Sequence, residues 1–248
     1  MFWWWHGCWG RYAQADPILS WPSPANKGSA KTVLSKLLRA LIDPSVAPVR
    51  ALPRDERELF IAASHSHVLA FDNLSGLPPW LSDTLCRLTS GGAFSTRRLF
   101  TDQDEILFAA ARPVILNGIE DVITRPDLAD RAILLTLAPI AEWQRRPEHA
   151  LWREFELACP YILGALLDAA AQGLRMLPRA RLMRLPRMAD FALWATACES
   201  AYRPAGTFQA IEIVFGREGR LGTRQVRPNP GTPSASSAAS ATMHMWRA

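Results

Sequence analysis

Gly28-Ser29-Ala30-Lys31-Thr32 stands directly before Val33, Leu34, Leu37, Leu38, Leu41 and Ile42, an apolar stripe at helical spacing that Asp43-Pro44 ends. Small residues ahead of a helix let backbone N–H groups approach an anion. A Lys supplies an ammonium, a hydroxyl can sit on a divalent cation, and the helix N-terminus behind them adds its dipole. Against the phosphate-loop pattern G-x-x-x-x-G-K-S/T, Ala30 occupies the place of the second Gly and Ala25 that of the first. Lys usage sharpens the reading. The chain has only three, Lys27, Lys31 and Lys36, among 28 Lys and Arg, and all fall here.

Working outward, two apolar runs end in polar residues suited to one site. Val68-Leu-Ala-Phe71 stops at Asp72, and Val114-Ile-Leu116 stops at Asn117. Carried to the C-terminal edge of a parallel sheet, a carboxylate there would orient a hydrated cation, and an amide would touch a phosphate or an attacking water. Asp55–Ala63, Pro79–Leu88, Glu148–Leu174 and Pro186–Ala201 read as helices, and Ala132–Leu137 as another buried strand. Phe94–Phe108 reads as two short strands joined by the polar turn 101–105. Helices alternating with fully apolar strands indicate an α/β fold, a parallel sheet flanked by helices. Four units follow: an irregular, Trp- and Pro-rich segment 1–27 with no strand periodicity, a core 28–140, a helical lid-like subdomain 147–202, and a low-complexity basic tail 203–248, read as disordered.

Composition narrows the class. At 248 residues, 49% hydrophobic and 21% charged, the chain suits a globular domain with a substantial core. The net charge of +5 is unevenly held: residues 216–248 carry five Arg against one Glu, so the body is close to neutral and not a broad cationic surface. Cys8, Cys86, Cys159 and Cys198 are too dispersed for a zinc pattern and read as free thiols. The opening Met1-Phe-Trp-Trp-Trp lacks a basic leader, and no uninterrupted apolar run approaches the roughly 20 residues of a membrane span, so a cytoplasmic protein without a membrane partner is expected.

The strings LSKLLRALIDPSVAPVRALPRDERELFIAA, VLAFDNLSGLPPWLSDTLCRLTSGGAFSTRRLFTDQDE and RPVILNGIEDVITRPDLADRAILLTL resemble the P-loop ATPase domain of phage- and mobile-element-encoded ATP-binding proteins. Those are similar to the helicase half of primase-helicases and related to superfamily 3 and AAA+ ATPases. The resemblance covers roughly residues 28–200 and implies a P-loop NTPase-like fold binding ATP and Mg²⁺. It implies that Gly28, Ser29, Ala30, Lys31 and Thr32 form the phosphate loop, with Thr32 and Asp72 at the metal. It makes Asn117 the first sensor, Arg125 or Arg131 an arginine finger acting in a homo-oligomeric ring, and Arg187 a second sensor. Arg97 and Arg98, between Phe94 and Phe100, would contact single-stranded or forked DNA.

Two departures stand out. Asn73 occupies the place where relatives carry a second acid, so either Asp55 or Glu56 takes the proton of an attacking water or hydrolysis is slow. Ser20-Trp-Pro-Ser-Pro24 stands where a strand should lead into the loop, suggesting a copy truncated or frame-shifted at both ends. The expected function is a Mg²⁺-dependent ATPase of mobile-element DNA replication. The alternatives are a weak or inactive remnant with at most nucleotide or DNA binding, and a DNA-binding module using the basic tail alone.

Overall fold

The computed structural model describes residues 18–21, 28–97, 105–118, 122–135, 137, 139–182, 185–204 and 206. All lie within the first of the two units, 1–217 and 218–248, into which the chain divides. In chain order the elements are β1 (Ile18–Trp21), α1 (Lys31–Ile42), α2 (Glu56–His65), β2 (Leu69–Leu74), α3 (Pro79–Thr89), β3 (Ala93–Arg97) and β4 (Glu105–Ala109). They continue with β5 (Val114–Gly118), α4 (Pro126–Ala129), β6 (Ala132–Leu134), α5 (Glu148–Met176) and α6 (Ala189–Glu199).

The fold is α/β. Four parallel strands lie in the order β2-β5-β1-β6, and β3 pairs with β4 in a separate antiparallel hairpin. A parallel sheet must be covered on both faces, and the strands read as continuous apolar runs for that reason. Leu69, Phe71, Val114 and Leu116 pack on one face with Leu59 and Phe60 of α2 and Leu81, Leu85 and Leu88 of α3. Val68, Ala70 and Ile115 turn to the other face, against Leu34 and Leu38 of α1.

One expectation is corrected here. Segment 1–27 is not devoid of strand: Ile18–Trp21 is the third strand of the sheet, in register with Val114–Asn117 on one side and, through Ile18–Ser20, with Ala132–Leu134 on the other. It escaped the sequence because four residues enclosed between two neighbours show no alternation, and the adjoining Trp and Pro obscured them. The loop at Gly28 therefore does follow a strand. β2 also runs past its expected end at Asp72, reaching Leu74 with a register shift between Phe71 and Leu74 where Asn73 adopts φ 58°. The tail beyond residue 206 and the hairpin tip 98–104 lie outside the described residues.

Helix α1 is locked to β2 at its far end. Arg39 is 2% exposed and donates to the carboxylate of Asp43 and the carbonyl of Val68. Asp43 in turn accepts the N–H groups of His67 at 2.8 Å and Val68 at 3.0 Å. Arg112 performs a similar task for α2, donating from Nε to the carbonyls of Ala63 and Ser66, each at 2.9 Å.

After β6 the chain forms α5, on which α6 folds back. The contact is close at Gly173, where an added Cβ would run into Cys198 Sγ and sit 3.2 Å from the Trp194 ring. Burial pushes the Cys198 thiol up to about 11, so it behaves as packing and not as a reactive group. The stretch Glu148–Arg179 is long and apolar enough by length and composition to cross a membrane, with mean hydropathy 1.4 in its most apolar window, of which 11% is buried. Counting uninterrupted apolar residues passes over it because charged residues are interspersed.

Burial opposes ionisation of Asp43, but the hydrogen bonds from Val68 and Arg39 outweigh it and hold the carboxyl below its ordinary value. Its stabilising contribution is therefore full above the ordinary carboxylate pKa of about 3.9 and is lost as pH falls through the depressed value. Asp43→Asn should cost about 3–5 kcal/mol at pH 7, because it leaves the Arg39 charge buried without its counter-ion. Chemical denaturation of both proteins at pH 7 and near pH 3 checks this: the difference should shrink at the lower pH.

Candidate functional site

Strands β2, β5 and β1 all end at one edge of the sheet, and α1 begins there. Crevices at the carboxyl ends of parallel strands are where α/β sheets bind ligands. The loop enters α1 through Gly28 at φ 85° and Ala30 at φ 56°. Ala30 is the N-cap of α1 and makes no side-chain cap bond, and the first turn has no acidic residue. The first N–H groups of such a helix are without intrahelical acceptors, and the dipole favours an anion beside them. Ser29 of the loop is buried at 5% exposure.

Four side chains from three elements meet at this edge. Lys31 Nζ donates to the carbonyl of Gly118 at 2.9 Å. Thr32 Oγ1 donates to Asp72 Oδ1 at 3.1 Å. Asn117 Nδ2 donates to Thr32 Oγ1 at 3.2 Å and also to Asp72 Oδ1. The backbone N–H of Asn73 reaches the same oxygen at 2.9 Å. All three bonds to Asp72 converge on Oδ1, which fixes the carboxylate. Asn117 is 4% exposed, so its amide is held by the sheet itself.

The sequence-predicted residues thus divide. Gly28, Ser29, Ala30, Lys31, Thr32, Asp72 and Asn117 come together. Arg131 does not join them: it precedes β6 at the other edge, its carbonyl accepting from Ile18 at the start of β1 at 3.0 Å. About four strand residues, or roughly 13 Å, separate that level from Asn117. Its guanidinium donates to Ser90 Oγ at 3.4 Å and the Asp127 carbonyl at 3.1 Å. Arg125 pairs with Asp83 at 2.8 Å and Asp127 at 3.4 Å. Arg187 pairs with Asp130 at 3.3 Å, beside Arg131. Arg97 ends β3 in register with Glu105, and Arg98 lies outside the described residues.

The two acids offered as substitutes for a base are engaged structurally. Asp55 caps α2 by accepting from Glu58 N at 2.8 Å, and Glu56 pairs with Arg87 at 2.6 Å. Asn73 is exposed and lines a shallow groove of about 410 Å³ with Arg50, Leu52, Asp72, Leu74 and Gly76 on the outer side of β2. A residue the sequence did not single out, Arg145, lies over the loop. Its Nη2 would be 3.6 Å from a Cβ on Gly28, and Ile140 N donates to the Gly28 carbonyl at 3.1 Å. No spacing pattern marked Arg145, because only the chain's return after β6 brings it there. Among the described residues no three His, Cys, Asp or Glu side chains converge as a metal cluster.

Comparison with known proteins gives one family. The model of the actinomycete integrative conjugative element replication protein matches residues 2–212, including the N-terminal stretch that the sequence alone set apart as unrelated. No curated protein matches the chain. Among solved structures, a JCV helicase bound to a small molecule aligns with 13% identity and a TM-score of 0.35. The alignment covers 78% of this chain and 47% of that one, so the chain spans about half of the helicase's length.

A left-handed backbone at a residue bearing Cβ costs about 1–2 kcal/mol, part of which glycine gives back through its greater unfolded-state entropy. Ala30→Gly should therefore stabilise the protein by about 0.5–1 kcal/mol, where the same substitution inside a helix would destabilise it. Thermal unfolding of the two proteins side by side checks the sign.

Proposed function

The chain belongs to the family of actinomycete integrative conjugative element replication proteins, and from that premise we propose that it is a Mg²⁺-dependent, ATP-binding ATPase acting on DNA in the element's replication. The observation that supports the reading best is the bonded set Thr32, Asp72 and Asn117, with Lys31 on the Gly118 carbonyl, at the start of a helix without a side-chain cap. A hydroxyl and a carboxylate 3.1 Å apart are hard oxygen donors of the kind Mg²⁺ takes while keeping several waters. Two such donors with a Lys beside them suit a nucleotide-borne cation better than a structural metal.

In this reading the backbone around Ala30 and the first turn of α1 receive the β- and γ-phosphates, and Lys31 exchanges the Gly118 carbonyl for a phosphate oxygen. Thr32 and Asp72 hold the cation, which when bound would offset phosphate charge. Asn117 keeps Thr32 and Asp72 in register and can orient a water at the terminal phosphate. Arg145 extends the positive field over Gly28. Phosphoryl transfer depends chiefly on positioning and charge, so hydrolysis can proceed without a carboxylate at Asn73, though slowly.

Arg131 faces away from its own loop, so any contact it makes with a nucleotide is with that of another copy in a ring. The β3–β4 hairpin carrying Arg97 is the DNA-contacting element in this reading, and the setting is the cytoplasm, where DNA is replicated.

Titration of a fluorescent ATP analogue in the presence of Mg²⁺ tests the proposal. Lys31→Ala should weaken binding at least about tenfold, as expected for loss of a charge-assisted contact to phosphate. Equal affinity in the two proteins, with matched circular dichroism, would refute it. Arg131→Ala should leave that affinity unchanged and lower the steady-state release of phosphate. Weakened binding instead would assign Arg131 a role within its own subunit.

A further inference from the structure

Helix α5 carries an apolar seam whose leucines are exposed. Pro160, Leu163, Leu167, Ala170 and Leu174 recur at alternating spacings of three and four, the repeat of a helix that pairs with another helix. Leu163, Leu167 and Leu174 are 43%, 49% and 42% exposed, and Leu157 and Leu166 on the flanks are 72% and 47% exposed. α6 does not cover this seam: it packs on the Ala169–Gly173 side, where both residues are buried. Between Leu157 and Leu174 the only charged residue is Asp168.

We propose that this seam is the interface by which two copies of the chain associate, α5 against α5 in antiparallel fashion about a twofold axis near Leu167. Three observations favour a second copy. The exposed apolar side chains on and beside the seam amount to roughly 500 Å², about the apolar share of the ~800 Å² that each partner contributes to a standard interface. The seam is also self-complementary when reversed. With Leu167 at the axis, the two Leu167 side chains face each other, Leu163 meets the small Ala171 and Gly164 meets Ala170, so small residues flank the central leucine pair and let the helices approach closely. Charge agrees as well: reversal sets Glu156, just before the seam, against the turn of the partner that carries Arg179. A bilayer suits this helix less well. Glu148 at its start pairs with Lys36 of α1 at 3.0 Å, which ties that end to the α/β body, and α6 packs along its last turns. The proposal does not depend on nucleotide binding.

Sedimentation velocity of the full chain between about 1 and 50 µM should show a dimer, the range in which an interface of this size associates. Leu167→Glu should raise the dissociation constant about 100-fold or more, because it places two carboxylates against each other in an apolar contact. Tyr161→Glu, 81% exposed but off the seam, should change it by less than about threefold. Both sites are exposed, so unchanged circular dichroism is expected and separates association from folding. Leu167→Cys should be joined to its counterpart by a short bismaleimide above the background of the native thiols. Leu174→Cys should not, since reversal separates the two Leu174 positions by about 21 Å along the helix. A wild-type monomer at 50 µM, a dimer indifferent to Leu167→Glu, or equal cross-linking at Leu174→Cys would each overturn the proposal. So would a monomer that co-sediments with anionic lipid vesicles, which would assign the seam to a membrane surface.

Discussion

The buried guanidinium of Arg39 is the constraint on which the candidate site depends. It joins the Asp43 carboxylate to the Val68 carbonyl, and Asp43 completes the knot through the N–H groups of His67 and Val68. The knot pins the C-terminal end of α1 to the beginning of β2. From Arg39 back to Thr32 is seven helical residues, about 11 Å. From Val68 on to Asp72 is four strand residues, about 13 Å. Two segments fixed at one end and running side by side over nearly equal lengths bring Thr32 and Asp72 to the same level. Their 3.1 Å hydrogen bond follows from that geometry. A buried ion pair is often neutral for stability compared with an apolar replacement. Its value here lies in register, since an apolar contact would let the helix slide.

The other half of the site is set by the sheet. Asn117 lies in β5 between β2 and β1, and its burial leaves its amide few directions other than toward Thr32 and Asp72. Lys31 is held from the same strand, through the Gly118 carbonyl. The four polar groups thus answer to three independently packed elements, α1, β2 and β5. Such a cluster needs little rearrangement to receive a charged ligand, and preorganised polar groups do more for binding and catalysis than flexible ones. The irregularity at Asn73 belongs to the same design. The register shift after Phe71 and the left-handed backbone at Asn73 direct its N–H to Asp72 Oδ1 and leave its side chain outside the cluster. Asn tolerates that backbone better than most residues, as Asp also does, so the conformation suits the residue at position 73 without deciding between amide and acid.

Much of this was legible in the sequence because chemistry and periodicity coincided. A Lys-Thr pair before an amphipathic helix, and two apolar runs ending in Asp72 and Asn117, led to residues that do meet in space. What stayed hidden depended on neighbours distant in sequence. Ile18–Trp21 is a strand only because β5 and β6 flank it, and four residues carry no period. Arg39 looked like an ordinary member of a helix, and nothing local marks it as buried. Arg145 approaches Gly28 only through the return of the chain after β6. Conversely, Asp55 and Glu56 had the right chemistry for a base but are occupied in capping α2 and pairing with Arg87, demands that a linear reading does not reveal.

The long helix α5 raises a different question of economy. Covering one face of the sheet takes α1 only 12 residues, whereas α5 runs for 29, about 44 Å. It is secured at its first turn by Lys36 and along its last turns by α6, and its middle contributes little to either core cluster. A solvated helix of that kind would ordinarily be covered in charge, since exposed leucines gain nothing from water and promote non-specific association. α5 has the opposite composition, with a single acid between Leu157 and Leu174. That composition is what the proposed pairing of two α5 helices would use, since it places leucines where a partner helix would cover them.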